Sequence, residues 1–247
     1  MTDTHQPESA TAAAPADKGV AARFFGVLFA PRATYAAVVA RPRWLGIFLI
    51  VFAITASATG ALLSTEVGRN AVIDQQQAQR ESFGRPMTQA EIDRVEQFAP
   101  YFVYITPVFQ ILGFSVVGLL ISGIALAVFN AMLGGDGTFK QVFAVVAHSA
   151  VVLAATSLFT TPLAYARESL AGATNLAVFL PFLDESSFVA RLLGSIDLIF
   201  IWWMLSLAIG LGVLYRKRTG PIAATMFAIY VAIGVIIAAI KTASTGV

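Results

Sequence analysis

Asp197 and His148 stand apart in this chain: a carboxylate and an imidazole set inside otherwise apolar runs. Asp197 lies six residues beyond Arg191, about 9 Å along a helix, and His148 lies eight beyond Lys140, about 12 Å. A carboxylate at such depth in a bilayer costs on the order of 2.5–3.5 kcal/mol, so it should face protein or water, or be protonated. Two readings follow. The pair could serve a proton relay, or each could be a satisfied hydrogen-bonding group between helices, with Asp197 close enough to the interface to stay hydrated. The helices run in opposite directions, which leaves the two groups about 10 Å apart in depth, too far for a direct hydrogen bond.

Neither residue has a second acid or histidine in its own run, so a metal site and a hydrolase both lack their parts. Ser149 follows His148 and points about 100° away around a helix. Gly134-Gly135-Asp136-Gly137 has the glycine density of a phosphate-cradling loop but no following Gly-Lys-Ser/Thr, and it reads as a turn. Asn130, just before it, is a third polar position, placed to cap a carbonyl or to meet that turn. There are no cysteines, which excludes a thiolate catalyst, a thiolate metal site and a disulfide framework. The expectation is a non-enzymatic protein with no catalytic, cofactor or metal site.

The elements that position these residues are long apolar runs. Apolar residues make up 57% of the 247 and charged residues 12%, against roughly 25% charged in soluble domains. Five runs reach the ~20 residues that cross ~30 Å of hydrocarbon, with spans expected at 44–63, 104–133, 141–163, 193–215 and 220–240. The fold class is therefore all-α integral membrane: five transmembrane helices in a bundle, forming a membrane domain over 44–241. Tight turns at 134–137 and 216–220 make spans two and three antiparallel neighbours, and likewise four and five. Ala56/Gly60, Gly118/Ser122 and Ser206/Gly210 are small pairs spaced by four, which lets backbones approach in lipid. Trp202 and Trp203 fall mid-span and read as packing or lipid-facing bulk.

Residues 1–20 are polar, Ala/Pro-rich and aperiodic, and read as a disordered tail rather than a cleavable signal. Residues 21–43 form an amphipathic interfacial segment, broken near Pro31, that precedes the first span. Its candidate lipid contacts are Arg23, Phe24, Phe25, Phe29, Arg32, Arg41 and Arg43, the basic groups gaining roughly 1 kcal/mol each near anionic lipid. Residues 64–100 form a helical segment outside the membrane. Its parts are a helix over 67–80, a break at 83–86, and a capping box at Thr88–Glu91 that opens a helix to about Phe98. The Ile92/Val95/Phe98 face of that helix is expected to pack on the membrane domain. Residues 170–183 are too short for a span and read as interfacial or re-entrant.

Lys18, Arg23, Arg32, Arg41, Arg43, Lys140 and Arg216–Arg218 crowd span ends on one side, while the other seven of the 16 basic residues are spread over longer segments. The positive-inside rule then predicts a cytosolic N-terminus and an outside C-terminus. A net charge of +2 is too small to argue for nucleic acid.

Three stretches carry a family resemblance: GVLFAPRATYAAVVARPRW (26–44), LGGDGTFKQVFAVVAHS (133–149) and IDLIFIWWMLSLAIGLG (196–212). They resemble bacterial members of the Yip family, the Ypt-interacting proteins, over roughly 24–240. The resemblance implies a five-span fold in the bacterial inner membrane, with Phe29-Ala30-Pro31-Arg32 and Asp197 as family positions. Eukaryotic relatives bind small GTPases through a cytosolic tail and help shape or sort membranes. The tail here is short and Ala-rich and lacks an acidic-aromatic stretch, so the GTPase contact is not carried over. The expected partners are the lipid bilayer and a membrane protein or second copy of the chain, and the expected role is organising them. The alternative is a small transporter or channel subunit using Asp197 and His148 in a polar pathway.

Overall fold

A computed structural model describes residues 19–184 and 186–245; the expectation for the tail up to Lys18 lies outside them. Within them the chain is helical, without strands. Helix α1 (Val20–Phe29) and α2 (Pro31–Ala40) form a hairpin, with Pro31 at the first turn of α2, where its missing N–H costs nothing. The long helices follow: α3 (Leu45–Leu63), α4 (Glu66–Glu81), α5 (Gln89–Phe98), α6 (Phe102–Leu126), α7 (Phe139–Ser149), α8 (Val151–Ala166), α9 (Phe188–Gly194), α10 (Leu198–Leu214) and α11 (Thr219–Ser244). A π-helical turn, Ala127–Met132, extends α6.

Four continuous helical stretches are long and apolar enough to cross a membrane: Leu45–Leu63, Gln89–Met132, Phe139–Ala166 and Thr219–Ser244. The run expected as the fourth span is divided. Helix α9 ends at Gly194, the chain breaks over 195–197, and α10 has 17 residues, about 26 Å of helix. The chain is a multi-pass, all-helical membrane protein in which α10 is an apolar helix shorter than the four spanning stretches.

Helix α7 is the centre of the molecule: Val142 through Ser149 are all buried. Its start is set by Thr138, whose hydroxyl accepts the Gln141 N–H (3.3 Å) while Gln141 Oε1 accepts the Thr138 N–H (3.0 Å), a second capping box. Helices α6, α10 and α2 pack around it, and Gln141 Nε2 donates to the Val39 carbonyl of α2 (3.2 Å). Helix α3 lies along α8 and α6; α6 packs on α7, and α10 on α11, as the tight turns at 134–137 and 216–220 imply.

The N-terminal segment, expected as an amphipathic interfacial helix broken near Pro31, forms a hairpin whose second helix packs into the bundle. Thr34, Tyr35, Ala37 and Val38 of α2 are buried against α10 and α7. The segment is part of the bundle because α2 carries no charge beyond Arg32 and its buried face meets the small residues Ser206 and Gly210 of α10.

Outside the bundle, α4 and α5 occupy the expected helical segment, and Glu91 Oε2 accepts the Thr88 N–H (2.9 Å) at the start of α5. The expected packing of α5 on the membrane domain does not occur. Phe98 is exposed, Ile92 and Val95 are only partly covered, and α5 touches α4 and the short turn before α6. Lys241 stacks over the Phe83 ring (5.1 Å), tying the break after α4 to the end of α11. Residues 170–183 form no helix long enough to span. They hold a single turn at Leu176–Phe179 and an antiparallel bridge between Asn175 and Asp197.

Candidate functional site

Asp197 does not lie inside a helix. The depth deduced for it assumed unbroken helix from Arg191; with the chain broken at 195–197, Asp197 becomes the N-cap of α10. Its Oδ1 accepts the N–H groups of Ile199 (2.8 Å) and Phe200 (3.1 Å), which would otherwise be orphaned at the helix start. Oδ2 accepts from Thr174 Oγ1 (2.5 Å). The Tyr230 hydroxyl of α11 accepts the Asp197 N–H (3.0 Å) and donates to the Ser195 carbonyl (2.8 Å). The backbone N–H groups of Leu176 and Leu198 donate to the carbonyls of Ile196 and Thr174, each at 3.0 Å. Asp197 thus knots the connection between α8 and α9 to α10 and α11.

His148 sits elsewhere. It is fully buried near the end of α7, and Nδ1 lies 2.7 Å from the Ala144 carbonyl. A carbonyl only accepts, so Nδ1 carries the proton and donates. Nε2 is buried with no partner among the described residues. The separation from Asp197 can be read along α10. Gly210 faces Val145 of α7, so closely that an added Cβ would lie 2.5 Å from Val145 Cγ1. Asp197 is thirteen residues from Gly210, about 20 Å, and His148 regains only about 4.5 Å of that. The structure does not bring the two together.

Asn130 meets the turn, as one reading of the sequence anticipates. Its Nδ2 donates to the Gly137 carbonyl (2.7 Å), and the Gly135 N–H donates to the Phe129 carbonyl (2.8 Å). Tyr215 stacks on Phe129 at 4.4 Å and 10°, and an added Cβ at Gly135 or Gly137 would meet the Tyr215 side chain within 2.8 Å. Glycine is required there by the aromatic ring, with no phosphate needed to account for it.

Of the seven residues placed at the lipid surface, Arg23 and Phe24 are buried in the bundle, while Arg32, Arg41 and Arg43 are exposed. Phe25 and Phe29 are 60% and 82% exposed. Arg32 Nη2 donates to Thr219 Oγ1 (3.4 Å), placing it beside Arg216, Lys217 and Arg218 around one cleft at what is hereafter the basic end of the molecule.

One polar contact was not anticipated. The hydroxyls of Tyr35 and Ser206 lie 2.8 Å apart in the core, and an added Cβ at Gly210 would lie 2.9 Å from the Tyr35 ring. The Ser206/Gly210 pair is therefore a socket for an aromatic side chain of α2. Its partial signal was the small pair itself; nothing local to Tyr35 showed what would fill it. Gly118/Ser122 packs toward Phe143 of α7, whereas Gly60 meets nothing within 4 Å.

In comparison with known proteins, the Yip1 domain family matches residues 25–240. No curated protein and no solved structure matches the chain.

Proposed function

The chain belongs to the Yip1 domain family, and on that footing we propose that it is a non-enzymatic organiser of the bacterial inner membrane, working through lipid and partner contacts. The N-terminus is placed in the cytosol and the C-terminus outside. The observation that carries the reading is the divided character of the α1–α2 hairpin. One face is locked into the bundle through Tyr35 and Val38, both fully buried, while Phe25, Phe29 and Arg32 project outward. A rigidly held surface that combines exposed aromatic and basic groups suits recognition of headgroups or of another membrane protein.

A transport pathway through Asp197 and His148 draws no support from the geometry. Asp197 spends both oxygens on local partners, and about 15 Å of bundle axis separates the two groups.

The test is photo-crosslinking in native membranes from Phe25, Phe29 and positions across 64–100, with exposed Phe159 of α8 as a lipid-facing control. The expected result is a reproducible adduct to one membrane protein, or to a second copy, from Phe25 and Phe29 but not from Phe159. Lipid adducts alone at all these sites would remove the partner half of the proposal.

A further inference from the structure

Four cations converge on one cleft at the basic end, and they come from two distant parts of the chain. Arg32 is supplied by α2, while Arg216, Lys217 and Arg218 lie in the turn between α10 and α11. The first residues of α11, Thr219–Pro221, complete a cleft of about 570 Å³. All four cationic side chains are exposed, and none is joined to an acid by an ion pair among the described residues. Arg32 Nη2 donates to Thr219 Oγ1 (3.4 Å), a neutral acceptor that leaves its charge uncompensated. No acid lines the cleft; Asp136 of the 134–137 turn, which bears electrostatically on Tyr215, stands outside the lining. Like charges gathered in this way repel one another unless an anion lies between them.

The fold holds the gathering in place. Arg32 stands in the first turn of α2, which is anchored in the core by fully buried Tyr35 and Val38. The turn that carries the other three cations is folded back on the end of α10. The Lys217 N–H donates to the Gly212 carbonyl (2.9 Å), and an added Cβ at Gly212 would lie 3.1 Å from both the Lys217 carbonyl oxygen and Thr219 Oγ1. Membrane orientation alone needs basic residues on one side, and the three in the turn supply them. It does not need an arginine from α2 brought to meet them.

We propose that this cleft binds a pair of phosphate groups, and that its occupant is the headgroup of a diphosphate lipid of the cardiolipin type. Guanidinium forks match phosphate oxygens in pairs and keep their charge at any working pH. Four cations exceed what one phosphodiester balances, and the volume falls within the roughly 300–1,000 Å³ of sites for ligands larger than a single ion. Position favours a lipid over a soluble diphosphate. The turn joins the apolar helix α10 to α11, which is long and apolar enough to cross a membrane, so the cleft lies at the level of the headgroups, where basic pockets between membrane helices take such ligands. From Pro221 in the lining, exposed Ala224, Thr225 and Ala228 continue along one face of α11 and leave room for acyl chains. The proposal rests on the lipid-contact half of the organiser reading and gives that contact a headgroup and a place. Phe25 and Phe29 do not line the cleft, so partner crosslinking there and lipid binding here can fail separately.

The experiment uses the purified full chain in detergent micelles, which separates headgroup binding from any effect of the same charges on membrane insertion. Lipid retention is read by native mass spectrometry for cardiolipin and phosphatidylglycerol at matched phosphate concentration. Cardiolipin is expected to be retained as a single adduct, at least fivefold more than phosphatidylglycerol. Arg32→Gln and Arg218→Gln are each expected to lower that preference at least threefold, and Arg32→Lys, which keeps the charge but loses the fork, at least twofold. Lys140→Gln, which removes an exposed cation at the same end but outside the lining, should change it less than twofold. Cardiolipin retained no better than phosphatidylglycerol, or lost as readily in Lys140→Gln as in Arg218→Gln, would overturn the proposal and leave a generally basic surface.

Two further readings guard the result. Added cardiolipin should raise the melting temperature of the wild type by several degrees and that of Arg32→Gln by less than half as much, each measured against its own lipid-free value. Equal shifts in the two proteins would count against the cleft. Inorganic pyrophosphate at the cardiolipin concentration should leave the lipid bound; complete displacement would overturn the lipid assignment and make a soluble diphosphate the occupant.

Discussion

Tyr35 and Ser206 share a hydrogen bond in a setting with no water to replace it, and truncating one strands the other. Ser206→Ala should cost about 1–3 kcal/mol in a detergent unfolding assay, because the Tyr35 hydroxyl is left buried and unpaired. Tyr35→Phe should cost a similar amount. The double variant should be less destabilised than the sum of the two, and strict additivity would show that the hydroxyls are not coupled. Asp197 allows a sharper separation of roles. As a cap it tolerates Asn, which retains an acceptor oxygen, so Asp197→Asn should lie within a few tenths of a kcal/mol of wild type while Asp197→Ala loses about 1 kcal/mol. A carboxylate carrying protons across the membrane would show the opposite pattern in reconstituted flux, with Asn as damaging as Ala.

The elements carry their own tests. Helix α10 ends with Arg216 in the left-handed region at φ 52°, with the Lys217 N–H bonded to the Gly212 carbonyl (2.9 Å) and the Arg216 N–H to Val213 (3.4 Å). That geometry is the Schellman closure usually given to glycine. Arg216→Gly should therefore raise stability by about 1 kcal/mol, visible as a higher melting temperature. The α4–α5 pair is pH-sensitive with a defined sign. The Thr88 backbone N–H, then Arg80 at 2.8 Å, hold the Glu91 carboxyl below its usual range. The contribution is complete above the ordinary glutamate value of about 4.3 and is lost as pH falls through the lower folded value. Spin labels at Gln77 and Gln97 should report a wider α4–α5 distance distribution in acid, and Glu91→Gln should show that width already at pH 7.

For the whole molecule, orientation is the open quantity, and the absence of cysteine makes it directly measurable. Single cysteines at Arg218 and Gln76, both exposed and at opposite ends, should react with impermeant reagents from opposite sides of the membrane. Labelling of Arg218→Cys from the cytosolic side is expected from the crowding of basic residues at that end; labelling from the outside would invert the topology. Much of this architecture was legible beforehand. Apolar runs of 20 or more residues define membrane helices because hydrocarbon offers backbone groups no other partner, and short polar turns such as 134–137 dictate antiparallel neighbours. Thr88 and Glu91 announced a helix start because a cap is a local interaction, complete within four residues.

What the amino-acid order determined by itself is therefore the helical membrane class, the position of most helices and the basic end. These depend on composition and on contacts between residues near in sequence. Only the tertiary structure decided that α2 belongs to the core, that Asp197 caps a helix rather than lying within one, and that Arg32 joins Arg216–Arg218 around one cleft. Tyr35 and Ser206 are 171 positions apart, and Arg32 and Thr219 are 187 apart. An apolar or polar residue looks the same in sequence whether lipid, another helix or a cavity lies opposite it. Which of these it meets depends on how helices of nearly uniform hydrophobicity choose neighbours, by the fit of small residues such as Gly210 against rings such as Tyr35.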